Sequence, residues 1–103
     1  MSRIKHMLLA NENEFLKLVC DYALLNHWEV YHVPDSRRVT SAGFPDLVLA
    51  RNGRVIFAEL KTETGKMSKA QARWREMIVG LDHHNEFFLW RPSDWGQIEE
   101  VLK

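Results

Sequence analysis

A single cysteine, Cys20, leaves this chain without an internal disulfide and without the ligand set of a zinc ribbon. Its neighbours Val19 and Tyr22 mark it as a buried thiol inside a helix. Net charge is missing too, because 14 Lys and Arg cancel 14 Asp and Glu. No global field draws in a polyanion, so counterion release would need a local patch of cations. Arg37, Arg38, Lys61, Lys66, Lys69, Arg73 and Arg75 are the residues available for one. No apolar run approaches the roughly 20 residues of a membrane span. In the opening MSRIKHMLLA only Met7 to Ala10 run uninterrupted, too short for a signal-peptide core. The expected setting is intracellular and cytoplasmic. The 103 residues leave room for one domain, 1–103, burying about two thirds of the unfolded chain's surface.

What the chain does have is the stretch Gly43 to Lys61, GFPDLVLARNGRVIFAELK. Strand alternation sends Glu59 and Lys61 to one face and Leu60 to the other. A carboxylate and an ammonium in the otherwise apolar run VIFAEL cost several kcal/mol unless each meets a partner. The simplest account makes Glu59 a salt-bridge partner and lets Lys61 end the strand in solvent. Asp46 points elsewhere: it follows Pro45, suited to the start of a strand, and opens the first apolar run, DLVLA. Asn52-Gly53 between the runs signals a hairpin. A straight hairpin is expected to leave Asp46 and Glu59 near opposite ends, so a bend at Pro45 would have to bring them together. Two adjacent carboxylates repel, and one keeps its proton unless a divalent cation lies between them. Oxygen ligands suit Mg²⁺ or Mn²⁺, and such an ion acidifies water and neutralises a phosphoryl group under attack. Lys61 would orient or deprotonate that water. These residue types fit phosphodiester hydrolysis.

Around this stretch the pattern alternates between helix and strand. Phe15, Val19, Tyr22 and Ala23 give a helix from Asn11 to about Asn26, with Asn11 as N-cap and Glu14 as its capping-box partner. Glu12 projects into the middle of the apolar stripe and has no such structural task, which makes it the candidate for the site, with Glu14 as the fallback. Trp28 to Val33 has strand composition, and His32 stands near its end. The polar loop 34–42 carries Arg37 and Arg38, able to grip phosphate with paired N–H donors, and three hydroxyls that include Ser41. Gly43 permits a tight turn. After Lys61 comes a loop with Gly65 and an exposed Lys66.

Ser68 caps a second helix that runs to about Val79 and ends at Gly80. Its inner stripe is Ala70, Trp74, Met77, Ile78 and Leu81, flanked by Gln71, and Arg73 and Arg75 bracket Trp74. Gln71 is either the capping partner of Ser68 or a site residue, since one amide in one rotamer is not expected to serve both. His83 and His84 lack the spacing of a metal pair. Glu86 to Trp90 is a fourth strand, and Ser93 is expected to cap a last helix from Asp94 with Trp95, Ile98, Val101 and Leu102 inward. The fold class is α/β: a mixed four-stranded sheet flanked by helices in the order α-β-β-β-α-β, plus a C-terminal helix.

Pro45-Asp46 followed by Glu59-Leu60-Lys61 resembles the PD-(D/E)xK nuclease signature. GFPDLVLA, IFAELKTETGKMS and Gln71 resemble its VRR-NUC branch, the virus-type replication and repair nucleases. The likeness runs from Glu12 to Trp95. It implies a restriction-endonuclease-like core and a DNA endonuclease dependent on Mg²⁺ or Mn²⁺, with branched DNA such as a Holliday junction or a flap as substrate. Asp46, Glu59 and the backbone carbonyl of Leu60 would hold the metal. Glu12 would be a further ligand, Lys61 would orient the water and Gln71 would support it. Arg37, Arg38, Ser41, Lys66 and Arg73 would contact nucleic acid, and a homodimer would suit a two-fold junction. Two other readings stay open: a binding or assembly module that kept the fold, favoured by the zero net charge, and metal-free RNA cleavage with His32 as general base.

Overall fold

Asn11 opens the first helix as its sequence announces: its side chain accepts the Glu14 N–H at 2.8 Å, and the Glu14 carboxylate accepts the Asn11 N–H at 3.4 Å. The computed structural model describes residues 11–33 and 41–103. Within them helix α1 covers Glu12–Leu25, strand β1 Glu29–His32, β2 Leu47–Arg51, β3 Arg54–Leu60, helix α2 Lys69–Val79, β4 Glu86–Trp90 and helix α3 Trp95–Leu102. The expected order of elements is the observed one. β1 is shorter than the apolar run around it. Trp28 leaves the ladder to bury its ring, and its indole N–H donates to the Leu102 carbonyl at 2.9 Å.

The sheet order is β1-β2-β3-β4, antiparallel from β1 to β3 and parallel between β3 and β4. Asn52 and Gly53, at φ 51° and 82°, form a two-residue turn with both central residues left-handed, which pairs Arg51 with Arg54. Alternation along β2 and β3 then places Leu47, Leu49, Ile56, Ala58 and Leu60 in one core with Phe15, Val19 and Ala23 of α1 and Ile98 and Leu102 of α3. This is the main core. Behind it, the side chain of Arg51 reaches the carbonyls of Asn26, Leu102 and Lys103 and stacks 4.4 Å over the Trp28 ring. Both helix ends are thereby fastened to the turn end of the sheet.

Helix α2 covers the other face. Phe44 lies edge-on between Phe57 of β3 and Trp74 of α2, with ring centroids 6.0 and 4.9 Å away. The inner stripe of α2 is shorter than its sequence suggests. Met77 is 52% and Leu81 99% exposed, and Ile78 is the buried residue of the helix. Gly80, at φ 64°, turns the chain away after Val79, so Leu81 never extends the stripe. At the last helix the expectation for Ser93 is also corrected. Asp94 is the N-cap position of α3, without a side-chain cap bond to that helix; its carboxylate accepts the Arg91 N–H at 2.8 Å in the preceding turn, and the Ser93 N–H donates to Glu63 Oε2 at 2.7 Å. Cys20 is half-buried, and burial, reinforced by the Asp21 charge, pushes its thiol upward, away from the reactive thiolate.

Candidate active site

The hairpin itself brings Asp46 to Glu59. Leu47 pairs with Ala58, and one further step along the antiparallel ladder sets Asp46 across from Glu59. The expectation that they lie at opposite ends is therefore overturned: antiparallel pairing matches the start of one strand with the end of the next, and no bend at Pro45 is required. Asp46 is tied on two sides. Its carbonyl accepts the Val33 N–H at 2.9 Å, and its carboxylate Oδ2 accepts the Leu60 N–H at 2.8 Å.

Glu59 is 1% exposed, yet it sits at the end of a core strand. Its Oε2 accepts the Gln71 side-chain N–H at 2.8 Å and lies 3.4 Å from Lys61 Nζ. Its Oε1 is buried and has no hydrogen-bond partner. Burial, then the charge of Asp46, pushes the Glu59 carboxyl up to about 7. Lys61 opposes that shift, and Glu12 adds to it from the first turn of α1. As alternation predicts, Lys61 shares the face of Glu59 while Leu60 joins the opposite core.

Gln71 does both jobs that were expected to exclude each other. Its Oε1 accepts the Ser68 N–H at 2.8 Å, completing the capping box, while its Nε2 donates to Glu59. An amide has an acceptor end and a donor end, and here they face opposite partners. Gly43 makes this approach possible. A Cβ there would lie 2.5 Å from the Ala70 carbonyl carbon and 2.7 Å from the Gln71 nitrogen, and its φ is 93°.

A cavity of about 120 Å³ opens beside these groups, lined by Glu12, Asn13, Leu16, His32, Asp46 and Leu60. It joins the first turn of α1, the end of β1 and the ends of the central hairpin. Glu12 is thus at the site, whereas Glu14 is occupied by the cap.

A solved structure described as a VRR_NUC domain matches this arrangement with a TM-score of 0.67, at 22% sequence identity, over 87% of this chain and 91% of that one. The fold is that of a VRR_NUC domain. No family model matches the sequence, and no curated protein matches it.

On this VRR_NUC fold, no three His, Cys, Asp or Glu side chains among the described residues group closely enough to hold a metal ion by themselves. What the site offers is a pair of carboxylates, Asp46 and Glu59, with one buried carboxylate oxygen lacking a partner. That donor set fits Mg²⁺ or Mn²⁺, since hard ions of this kind take one or two carboxylates and complete their shell with water and phosphate oxygens. Ser41, Lys66 and Arg73 are exposed, and Arg37 and Arg38 lie outside the described residues. Two contributors escaped the sequence reading. Asn13 lines the cavity next to Glu12, and its adjacency to that glutamate on the first helical turn was the available signal. Arg91, directly after the fourth strand, reaches the loop after Lys61.

Proposed function

We propose that this chain is a Mg²⁺- or Mn²⁺-dependent endonuclease that hydrolyses DNA phosphodiester bonds, acting on branched DNA such as a four-way junction or a flap during replication or repair. One observation carries the reading: a carboxylate buried to 1% exposure is held by an amide and an ammonium beside a second carboxylate, a costly arrangement with no role in packing. The VRR_NUC fold supports it.

Asp46, Glu59 and the Leu60 carbonyl would hold the cation, with Glu12 as a further or water-mediated ligand. The ion would supply charge neutralisation at the phosphate and a more acidic water. The chain's own residues do the rest. The Leu60 N–H fixes one Asp46 oxygen, so the other would be the one offered to the cation. Gln71 orients Glu59 and discourages rotation of its carboxylate. Lys61, 16% exposed in its side chain, orients the attacking water and offsets negative charge gathering on the phosphate. Ser41, Lys66 and Arg73, together with Arg37 and Arg38, meet the DNA backbone. A homodimer presenting two such sites matches the two-fold symmetry of a junction.

The test is cleavage of labelled four-way, flap and linear DNA with Mg²⁺, Mn²⁺ or EDTA, beside Asp46→Asn. Metal-dependent cutting abolished by the substitution supports the proposal; cutting that survives chelation or the substitution contradicts it. The second reading, a binding or assembly module that kept the fold, is favoured by the zero net charge. It predicts no cleavage of the same DNA under any metal.

A further inference from the structure

The loop that follows Lys61 is fastened by a residue from the far end of the sheet. Arg91 comes directly after β4, and its Nη1 donates to the carbonyls of Thr62 at 2.6 Å, Gly65 at 2.6 Å and Glu63 at 3.3 Å. No carboxylate pairs with it among the described residues, so a partly buried guanidinium is spent on main-chain oxygens of one short loop. Two further ties bind the same two segments, and a third closes the loop on itself. The Lys61 N–H donates to the Trp90 carbonyl at 3.0 Å, Ser93 donates to the Glu63 carboxylate, and the Gly65 N–H turns back to Thr62.

The loop runs alongside the Lys61 side chain. A Cβ placed on Gly65 would sit 3.5 Å from Lys61 Cδ and 3.1 Å from Thr62 Oγ1. The space a Gly65 side chain would fill therefore borders the lysine's methylene stem, and the Gly65 carbonyl is one of the two that Arg91 holds most tightly. A lysine stem has four rotatable bonds, and an ammonium left free to explore them would meet Glu59 only part of the time.

We propose that Arg91 is the positioning residue for Lys61, clamping the Thr62–Gly65 loop against the lysine stem so that the ammonium stays at Glu59. The catalytic half of this inference rests on the nuclease reading; the geometric half does not. Arginine suits the task because its rigid planar guanidinium holds one terminal nitrogen among all three carbonyls.

The experiment compares wild type, Arg91→Met and Arg91→Lys, with folding checked by thermal melts. Reductive methylation followed by mass spectrometry reads the exposure of Lys61 against Lys69 and Lys103 as internal standards. Lys61 is expected to be methylated faster in Arg91→Met, and at an intermediate rate in Arg91→Lys, while the standards are unchanged. On cleavable DNA, kcat should fall roughly tenfold or more in Arg91→Met with little change in KM, the mark of a misplaced catalytic group. Should Arg91→Met not fold, Arg91→Lys decides alone: faster Lys61 methylation supports the clamp. Lys61 methylated at the wild-type rate in the folded variants overturns it, as does an unchanged kcat in a variant whose Lys61 has become reactive. If the wild type cuts no DNA, the nuclease reading falls, and the methylation rates still decide whether Arg91 places Lys61.

Discussion

Asp46 accepts the main-chain N–H of Leu60 through one carboxylate oxygen at 2.8 Å, so the residue before β2 is locked to the last residue of β3. Two substitutions separate its bond from its charge. Asp46→Asn keeps an oxygen for that N–H and removes a negative charge that burdens Glu59. Urea unfolding in EDTA should show it at least as stable as wild type near neutral pH. Asp46→Ala also loses the acceptor and should cost about 1–3 kcal/mol. Both should lose cleavage.

The buried Glu59 sets a pH dependence of unusual sign. Its carboxyl is raised from 4.5 to about 7 in the folded protein. Between those values the native state holds a proton that the unfolded chain has released. Stability from this group is complete below the lower value and is lost as pH rises towards 7. In EDTA, wild type should lose on the order of 2 kcal/mol between pH 5 and pH 7.5. Glu59→Gln, which keeps the Gln71 contact without the titration, should be flatter, as chemical denaturation at both pH values will show.

The two ends of Gln71 make a third prediction. Gln71→Ala removes the reciprocal half of the Ser68 cap and the donor to Glu59, and should cost about 1–2 kcal/mol in a denaturation measurement. Gln71→Glu retains an acceptor for the cap but sets a carboxylate against Glu59. Its deficit should exceed that of Gln71→Ala and deepen as pH rises, since both groups must then ionise together.

Gly43→Ala tests the approach of the loop to α2. A Cβ would strike backbone atoms of Ala70 and Gln71, which cannot rotate away, at a φ that disfavours side chains. The expected loss is about 2 kcal/mol or more. Amide chemical shifts should change from Ser68 to Gln71 and at Glu59, while the Arg51–Trp28 end stays as it is.

Much of this arrangement is legible in local sequence. Asn11 and Glu14, Ser68 and Gln71, and Asn52-Gly53 mark two helix starts and one turn, because each works through contacts a few residues apart. The meeting of Asp46 with Glu59 is legible too: a two-residue turn fixes the ladder, and counting outward from it reaches both carboxylates. Positions counted along each run set the two apart only when neither run is reversed. Gln71 looked like a choice between roles because its two polar ends were treated as one. Leu81 belongs to a helical period that Gly80 interrupts. Arg91 could not have been found, since its partners lie across a parallel pairing between distant segments.

That parallel pairing also sets a timetable. Lys61 is anchored by Trp90, and its loop by Arg91, both of which emerge from the ribosome long after the hairpin is made. A nascent chain halted before β4 holds Asp46, Glu59 and Lys61, with the ion pair of the last two, but neither of these ties, which form only once the end of the sheet is made.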